Sequence, residues 1–339
     1  MPQETEAEMP VVFDPLVVIP CLNEADHIGR ILRQLAPAMQ RLGGRIVVVD
    51  GGSTDGTLDI VNDFAVNDDR ISLLHNSDRI QSAGINLAVA QDHGQATNLI
   101  RIDAHCAYPD DYCDVLMQQA GSVYADSIVV SMIAEGQASL QRINAATQNA
   151  HLGNGGSAHR TLPSGKYVDH GHHALIRMAA FRSVGGYDPG FAHNEDAEFD
   201  YRLRQAGHRI WLTPATVVTY FPRPTLPALA RQYFNYGAGR ARNLLKHRVL
   251  PKIRQAKVMI VLPAVVLALL APLHLLFALP ALLWCIYCLW TGVRMAIRDR
   301  DPALALCGVA AMIMHFSWSL GFWQNVLRSA TRSLGKVTP

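Results

Sequence analysis

The chain of 339 residues lacks acidic side chains over a long stretch. Of its 28 Asp and Glu residues, 26 precede residue 201, whereas residues 201–257 carry twelve Lys or Arg and no acid. Such an asymmetry predicts a basic surface that faces an anionic partner, either a membrane or a nucleic acid. The net charge of +2 by itself says nothing about partners.

Charge of either sign is missing from two stretches later in the chain. Residues 258–293 form an uncharged run of 36 residues, and residues 302–326 form a second run of 25. About 20 apolar residues are enough to cross a bilayer, so both runs are candidate membrane segments. The first run divides near Pro272 into two short halves, which either cross separately or form a re-entrant hairpin. We therefore expect two or three transmembrane helices within residues 258–327, followed by a tail at residues 328–339.

The chain also shows no leader, no cysteine cluster and no glycine-rich phosphate loop. Residues 1–15 are acidic without an apolar core, so we expect no signal peptide and a catalytic part in the cytoplasm. Three of the six cysteines are scattered and three lie in the apolar runs, where packing is more common than metal binding. Neither G-x-G-x-x-G after the first predicted strand nor G-x-x-x-x-G-K is present, which argues against a usual dinucleotide-binding domain.

The first half of the chain does contain a regular alternation of two kinds of segment. Short runs rich in β-branched residues predict buried strands. Apolar residues at helical spacing predict amphipathic helices between them. Strands that alternate with helices indicate βαβ units, a mainly parallel sheet and an α/β fold. The predicted strands are 16–20, 46–50, 71–75, 99–103 and 127–133.

Two of the predicted strands end in an acid. Asp50 closes the second strand and Asp103 closes the fourth. In open α/β sheets, ligands bind at the carboxyl ends of strands, so we expect both carboxylates to project into one crevice. The alternative for Asp50 and Asp55 is that they only cap a turn and the helix that follows, a role that suits Asp.

Four motifs follow one another in the chain and carry a resemblance. They are Pro20-x-x-Asn23-Glu24, Asp50-Gly-Gly-Ser53-Thr-Asp-Gly-Thr57, Arg101-Ile-Asp103-Ala-His105 and Asn194-Glu195-Asp196. Together they resemble family 2 inverting glycosyltransferases with a GT-A fold, over roughly residues 17–242. The third motif and the later Tyr236-Gly-x-Gly-Arg240 are most similar to the glucosyltransferases of succinoglycan biosynthesis. The resemblance implies a GT-A domain over residues 1–225, then a basic amphipathic segment at residues 226–257 before the transmembrane helices.

The resemblance also implies a donor site for a nucleotide-diphosphate sugar, with UDP as the expected nucleotide. Asp50 would contact the uracil or the ribose. Asp103 would be the metal-side acid of an Asp-x-Asp motif in which His105 replaces the last Asp. Imidazole suits Mn²⁺ whereas Mg²⁺ prefers oxygen, so a divalent ion is expected and its identity stays open. The implied donor-binding residues are Pro20, Asn23, Glu24, Asp50, Ser53, Arg79, Arg101 and Asp103.

Transfer of a sugar needs a carboxylate that takes the proton of the attacking hydroxyl. Following the family pattern, Asp196 is the expected base and Glu195 the acceptor or orienting contact. The alternative is that both acids only favour the start of a helix predicted at 197–205, through the helix dipole. A divalent cation would neutralise the charge of the leaving diphosphate.

The segment after the base resembles the Q-x-x-R-W region of family 2 synthases, which contacts diphosphate and acceptor. Asn235-Tyr236 stand in place of the Arg-Trp pair, which argues against a processive polymerase. The basic residues that follow suit anionic lipid or a lipid diphosphate. Alternatively, they are only the positive charge that membrane proteins keep on the cytoplasmic side. The implied acceptor and diphosphate contacts are Arg231, Gln232, Tyr236 and Arg240.

Three histidines, His170, His172 and His173, lie close together in the sequence. Short spacing can indicate a zinc site. However, no cysteine is near, and the strand predicted there would place the side chains on alternate faces. We therefore expect acceptor or phosphate contacts from these histidines instead of zinc.

These expectations combine into a membrane-anchored inverting glycosyltransferase at the bacterial inner membrane, with its catalytic domain facing the cytoplasm. It would move a hexose, glucose by resemblance, from a UDP-sugar to a polyprenyl-diphosphate-linked saccharide in exopolysaccharide assembly. Its partners would be membrane lipid and other polysaccharide-assembly proteins, and the apolar runs argue against nucleic acid. Two alternatives stay open: transfer of one sugar to polyprenyl phosphate, and a non-catalytic membrane scaffold, against which the intact acids count.

Overall fold

The structure is a computed structural model that describes residues 14–157, 160 and 165–334, with side chains described up to residue 331 in the last helix. Most of the segment for which no signal peptide is predicted, and the end of the predicted tail, lie outside the described residues. The chain forms two compact units. The first comprises Met1–Ala104, Asp110–Ile128 and His173–Gly186, and the second His105–Pro109, Val129–His172 and Tyr187–Pro339.

The helices and strands are numbered in chain order. The strands are β1 (Pro15–Cys21), β2 (Arg45–Asp50), β3 (Ile71–His75), β4 (Asn98–Arg101), β5 (Cys106–Ala107), β6 (Ser127–Ala134), β7 (Lys166–Tyr167), β8 (His172–Arg177) and β9 (Ile210–Tyr220). The helices are α1 (Ala25–Leu42), α2 (Thr57–Asn67), α3 (Gln81–Gln91), α4 (Tyr112–Ser122), α5 (Ser139–Asn149), α6 (His151–Asn154), α7 (Met178–Ser183), α8 (Glu195–Gln205), α9 (Leu226–His247), α10 (Ile253–Met259), α11 (Val261–Ala268), α12 (Leu279–Asp299) and α13 (Cys307–Leu334).

The first unit is built on a sheet with the strand order β3-β2-β1-β4-β8. The strands β1 to β4 run parallel, and β8 is antiparallel to β4. Residues Leu16 to Ile19 of β1 are almost wholly inaccessible to solvent, as expected of a strand that is covered on both faces. Helix α1 contributes Ile28, Ile31, Leu32 and Leu35 to this core. The predicted α/β fold with a mainly parallel sheet is confirmed.

The predicted strands are present, but the fourth ends early. β4 stops at Arg101, and the backbone N–H of Ile102 then donates to the carbonyl of Val18 at 3.0 Å. Asp103 therefore lies just beyond the strand, in the turn that follows, instead of closing the strand itself. The apolar pattern continues through Ile102, which is why the sequence alone placed the strand end too late.

The second unit contains the hydrogen-bonded strands β6, β9 and β5, with β7 also paired to β9. Cys106 of β5 lies opposite Tyr220, and Tyr167 of β7 lies opposite Trp211, both in antiparallel register. The helical part of this unit is packed around α13. One of its core clusters joins α13 to α5, α9 and α12 through Ile143, Leu229, Met295, Cys307, Ala310 and Met314.

Helices α9 and α13 approach each other closely at two glycines. A Cβ atom at Gly237 would lie 1.9 Å from the carbonyl oxygen of Trp318, and one at Gly321 would lie 2.0 Å from the carbonyl oxygen of Phe234. Such distances leave no room for any side chain. The two backbones can meet there only because both positions are glycine.

Two C-terminal segments are long and apolar enough to cross a membrane. Leu275–Asp299 has a mean hydropathy of 1.8 and Pro302–Thr331 a mean hydropathy of 1.7. Only 11% of the apolar window is buried in the first, against 33% in the second. Helix α11, with 8 residues, is about 12 Å long and cannot span a bilayer core of about 30 Å. The described residues therefore supply two candidate spans, and a separate crossing by the first half of the earlier apolar run is not supported.

Candidate functional site

The loops after β1 and β2 are joined by reciprocal hydrogen bonds. The backbone N–H of Asn23 donates to Ser53 Oγ at 2.8 Å, and Thr54 N donates back to Asn23 Oδ1 at 2.8 Å. The next residue, Glu24, donates its N–H to Thr57 Oγ1 at 2.8 Å. Asn23 has φ 57, a left-handed conformation that Asn tolerates better than most residues. The first two sequence motifs thus form one structure at the carboxyl ends of two parallel strands.

Asp50 is buried and organises its own loop. It is 1% exposed, its Oδ2 accepts from Gly52 N at 2.7 Å, and its Oδ1 accepts from Ser53 Oγ at 2.5 Å. Asp55 acts similarly, since its Oδ1 accepts from Thr57 N at 3.0 Å. Hydrogen bonds from Thr57 hold the pKa of Asp55 below its ordinary value. The capping alternative therefore describes what both acids do, and a contact of Asp50 with the nucleoside stays a prediction.

A cation lies beside this loop. The guanidinium of Arg79 covers Gly52, where a Cβ would be 3.5 Å from Nη2 of that arginine. Arg79 is exposed and has φ 57. Pro20, half-buried, lies opposite Val49 at the ends of the adjoining strands. An exposed guanidinium beside this loop suits the phosphates of a nucleotide.

Asp103 is oriented by two neighbours within the first unit. Gln81 Nε2 donates to its Oδ1 at 2.9 Å, and Arg101 Nε lies 3.5 Å from the same oxygen. The side chain of Arg101 is 5% exposed and that of Asp103 is 15% exposed. Gln81 belongs to no sequence motif and was missed. Its position at the start of α3, just after a parallel strand, is the signal that would have found it.

His105 is half-buried in the turn after Asp103, at the start of the second unit. Among the described residues, no group of three or more His, Cys, Asp and Glu side chains could hold a metal ion by itself. A divalent ion bound to a nucleotide needs only one or two protein ligands, because phosphate oxygens supply others. A carboxylate and an imidazole two residues apart therefore fit an ion shared with a diphosphate, and they do not fit a resident structural metal.

Glu195 and Asp196 open α8, two residues earlier than the sequence predicted. Asn194 precedes them with φ 62, and its Nδ2 donates to the carbonyl of Tyr236 at 2.9 Å. The hydroxyl of Tyr187 donates to Asp196 Oδ1 at 3.4 Å. Glu195 is 9% exposed, whereas Asp196 is half-buried. Both acids lie in the first turn, so the helix dipole stabilises their charge whatever else they do.

A third acid of the same helix ties α8 to α9. Glu198 is completely buried and accepts from Arg202 Nη2 at 2.7 Å, from Lys246 Nζ at 2.5 Å and from His247 Nε2 at 3.1 Å. Lys246 also pairs with Asp188 at 2.6 Å. Burial alone would raise the pKa of Glu198, but the bonds from Arg202 and Lys246 hold it below its ordinary value. No sequence pattern indicated this network.

The expected acceptor contacts all lie on α9, but they differ in environment. Arg231 is exposed. Gln232 Nε2 donates to the hydroxyls of Tyr220 at 2.8 Å and Tyr236 at 3.0 Å. Burial raises the pKa of Tyr236. Burial, with a contribution from the charge of Arg254, lowers the pKa of Arg240 to about 10. The structure therefore brings Gln232 and Tyr236 together, and leaves Arg231 at the surface.

Several cations of the basic stretch have partners inside the second unit. Lys246 is bound by Glu198, Lys252 pairs with Asp169 at 2.6 Å, and Arg242 donates to the carbonyl of Gly190. The expectation that this whole stretch faces anionic lipid is thus too broad, because these three side chains have partners within the unit.

The three histidines do not share a strand. His172 and His173 are buried on β8, whereas His170 precedes it and its Nδ1 lies 2.7 Å from Asp200 Oδ2. Asp200 is itself buried. The prediction of one strand through all three was wrong for His170, which is held by a carboxylate of α8.

Comparison with known proteins identifies the family. Glycosyl transferase family 2 matches residues 16–185, and Glycosyl transferase family group 2 matches residues 113–322. The succinoglycan biosynthesis protein ExoA of Rhizobium meliloti (strain 1021) is 50% identical over 312 residues, which cover 92% of this chain and 94% of that protein. The chain belongs to the family 2 glycosyltransferases. The resemblance carried by the four motifs is confirmed.

More distant relatives of this glycosyltransferase also match over most of their length. A Methanococcus voltae protein named dolichyl N-acetyl-alpha-D-glucosaminyl phosphate 3-beta-D-2,3-diacetamido-2,3-dideoxy-beta-D-glucuronosyltransferase is 20% identical, over 92% of this chain and 97% of its own. The mannosyltransferase PcManGT from Pyrobaculum calidifontis, solved with GDP-Man and Mn²⁺, has a TM-score of 0.56 and 18% identity, covering 89% and 86% of the two chains. The latter likeness confirms the GT-A fold.

Proposed function

We propose that this family 2 glycosyltransferase is inverting and membrane-anchored, and acts in exopolysaccharide assembly. It moves a hexose from a UDP-sugar to a polyprenyl-diphosphate-linked saccharide, and glucose is the first sugar to test. The 50% identity with ExoA over nearly the full length of both chains carries this proposal, since the name of that relative places it in succinoglycan biosynthesis.

The proposed reaction is a single displacement assisted by Asp196. The oxygen of an acceptor hydroxyl forms a bond to the anomeric carbon while the bond from that carbon to the diphosphate breaks. Asp196 takes the hydroxyl proton, and the nucleoside diphosphate leaves. Two observations support this assignment over Glu195. Asp196 is the more exposed of the two acids, and Tyr187 donates to one of its oxygens.

Apart from His105, the donor contacts that we propose lie in the first unit. The joined loops around Asn23 and Ser53 offer backbone and side-chain groups to the nucleoside, and Arg79 offers its charge to the phosphates. Asp103, with His105 after it in the sequence, would hold a divalent cation on the diphosphate. Such an ion, when bound, neutralises charge that develops on the leaving group. Gln81 and Arg101 position the carboxylate of Asp103 for that role.

Anchoring is proposed to be at the bacterial inner membrane, with the catalytic units facing the cytoplasm. Helix α12 supports it most directly, because only 11% of its apolar window is buried. Its exposed large apolar side chains form a surface that a bilayer would cover. They include Leu282, Leu283, Ile286, Tyr287, Trp290, Val293 and Ile297.

The test is a transfer assay with the full-length protein in lipid nanodiscs. UDP-, GDP- and dTDP-hexoses are offered as donors, and polyprenyl phosphate or a polyprenyl-diphosphate-linked saccharide as acceptors. We expect transfer from one UDP-hexose to the saccharide, with a β-linkage by NMR from the α-linked donor. Transfer to bare polyprenyl phosphate alone would replace this proposal by the single-sugar alternative. Failure of the wild type to transfer any of these sugars to either acceptor would favour the non-catalytic scaffold.

A further inference from the structure

Three tyrosines of the second unit surround a glutamine and lie next to an arginine. We call Tyr220, Tyr233 and Tyr236 the tyrosine cluster. Gln232 Nε2 donates to the hydroxyls of Tyr220 and Tyr236, and the ring of Tyr233 meets that of Tyr236 edge to face with centroids 5.5 Å apart. The guanidinium carbon of Arg160 lies 5.6 Å from the ring centroid of Tyr220.

Two polar atoms of this group are buried and unused. Arg160 Nη1 and Gln232 Oε1 have no hydrogen-bond partner in the part of the chain that the structure describes. A buried polar atom left unpaired is destabilising, and more so when it is charged. A guanidinium stays charged at any pH of interest. The cluster therefore contains one charged donor, Arg160 Nη1, that suits an anion. It also contains one acceptor, Gln232 Oε1, that suits a hydroxyl or an N–H group.

The hydroxyls around these atoms are suited to donate to an anion. Burial raises the pKa of both Tyr233 and Tyr236, although the charge of Arg160 opposes the shift in each case. Both hydroxyls therefore keep their protons in the neutral range. Arg160 is thus close enough to act on Tyr233 and Tyr236, in addition to its contact with the ring of Tyr220.

The cluster adjoins the acid pair on one side and an apolar helix on the other. The carbonyl of Tyr236 accepts from Asn194, the residue before Glu195, and the charge of Glu195 contributes to the raised pKa of Tyr236. One residue further along α9, Gly237 meets the backbone of Trp318 in α13. A ligand at the cluster would thus be close to the acids and to an apolar surface of the same unit.

We propose that Arg160, Gln232 and the tyrosine cluster bind the phosphate-linked sugar of a lipid-linked acceptor, a reading that rests on the proposed function. The phosphate oxygens accept from Arg160 and the tyrosine hydroxyls, and a hydroxyl of the attached sugar donates to Gln232 Oε1. A bare phosphate fits less well, because it offers no such donor. The site therefore favours a saccharide diphosphate over polyprenyl phosphate. Its position next to the apolar helix α13 favours the lipid-borne phosphate over that of the donor.

The experiment uses the full-length protein in nanodiscs and measures binding by microscale thermophoresis. The acceptor probe is farnesyl diphosphoglucose and the donor probe is UDP. We expect Arg160→Gln to weaken binding of the acceptor probe at least tenfold, and that of UDP less than twofold. Arg204→Gln is the matched control, since Arg204 also lies over a tyrosine, 5.9 Å from the ring centroid of Tyr201, but is exposed. It should change neither affinity.

Two results with Arg160→Gln would overturn the site. If the affinity for UDP falls as much as that for the acceptor probe, Arg160 binds the donor instead of the acceptor. If neither affinity changes, the arginine is structural. Should the thermal unfolding curve show that this variant does not fold, Arg160→Lys replaces it. Lysine keeps the positive charge but lacks the planar guanidinium, so we expect an intermediate loss of affinity for the acceptor probe. Binding of this probe with wild-type affinity would contradict the proposal.

A second variant tests the sugar contact. Gln232→Leu should weaken binding of farnesyl diphosphoglucose several-fold more than that of farnesyl diphosphate, and equal losses contradict the role of Oε1. Failure of the site is separable from failure of the function. If the wild type transfers sugar but Arg160→Gln binds the acceptor probe normally, only the proposed site is wrong. If the wild type binds the acceptor probe but transfers no sugar, only the proposed function is wrong. If the wild type does not bind the acceptor probe, both proposals are wrong.

Discussion

At the scale of single residues, the acids divide into those that hold a loop together and those that we propose for the reaction. Asp50 and Asp55 were predicted from their strand-end position, yet their oxygens are used by the backbone and hydroxyls of their own loop. Asp103 and Asp196 are more accessible than Asp50, and each has a neutral donor that orients it. Sequence position shows where an acid lies along the fold, but not which of its oxygens are already taken.

The two acids of α8 are distinguished by substitution. Asp196→Asn should lower kcat by roughly 10² to 10⁴, the usual contribution of a general base, with the KM for donor changed little. Glu195→Gln should be milder, because Glu195 is nearly buried. Steady-state kinetics with a fixed lipid acceptor measure both. If Glu195→Gln destroys turnover and Asp196→Asn spares it, the two roles are reversed.

Metal dependence is a second residue-scale prediction. Chelator should abolish transfer, and Mn²⁺ or Mg²⁺ should restore it. Asp103→Ala should lose nearly all activity, whereas His105→Asp should retain much of it, because a carboxylate also serves a divalent ion. Restricting the ion to Mg²⁺ should favour His105→Asp relative to wild type, since Mg²⁺ prefers oxygen ligands. Full activity of wild type in excess chelator would exclude the metal role.

At the scale of helices and strands, apolar periodicity predicted which elements exist better than where they end. The strand before Asp103 was extended by Ile102, which continues the apolar run after pairing has stopped. The start of α8 was placed after its acids, although acids are favoured in a first turn. The ties between α8 and α9 were not predictable, because they join residues 48 and 49 positions apart through one buried carboxylate.

That carboxylate gives a stability prediction. Glu198→Gln should cost about 2 kcal/mol at pH 7, since it removes charge-assisted bonds from Arg202, Lys246 and His247. The pKa of Glu198 is lowered by folding from an ordinary value of 4.5. Its contribution is therefore present above that pH and is lost as the pH falls below it. Thermal unfolding of both proteins between pH 7 and pH 3.5 should show the difference in Tm shrinking on the acid side.

The matched control is an exposed ion pair of the same unit. Asp169 pairs with Lys252, and their side chains are 57% and 53% exposed. Exposed pairs contribute roughly 0–1 kcal/mol, so Asp169→Asn should shift Tm little at any pH. If Asp169→Asn lowers Tm as much as Glu198→Gln does, burial is not the reason why the Glu198 network stabilises the protein.

At the scale of the whole molecule, the sequence predicted as separate two parts that pack together in the structure. The apolar C-terminal third was predicted as transmembrane helices apart from the catalytic domain. Instead, Cys307, Ala310 and Met314 of α13 pack with Ile143 of α5 and Leu229 of α9 in one core. Hydropathy could not show this, because a helix that faces protein on one side and lipid on the other is apolar on both.

Truncation after Arg254 should therefore do more than remove an anchor. The first unit keeps its whole sheet, so we expect UDP to bind within about threefold of its affinity for the full chain. The second unit loses the core partners of α5 and α9, so its amides should exchange with deuterium much faster. Calorimetry and hydrogen-exchange mass spectrometry measure the two effects. Full protection of α9 in the truncated protein would contradict this view of α13.

The contact of α9 with α13 also sets an order of events during synthesis. Fifty-nine residues lie between the end of α9 at His247 and the start of α13 at Cys307. At the usual rate of about 5–20 residues per second, the ribosome needs roughly 3–12 s to make them. For that interval the face of α9 that carries Gly237 has no partner. A nascent chain of this enzyme must keep an apolar surface shielded for seconds before its own last helix arrives to cover it.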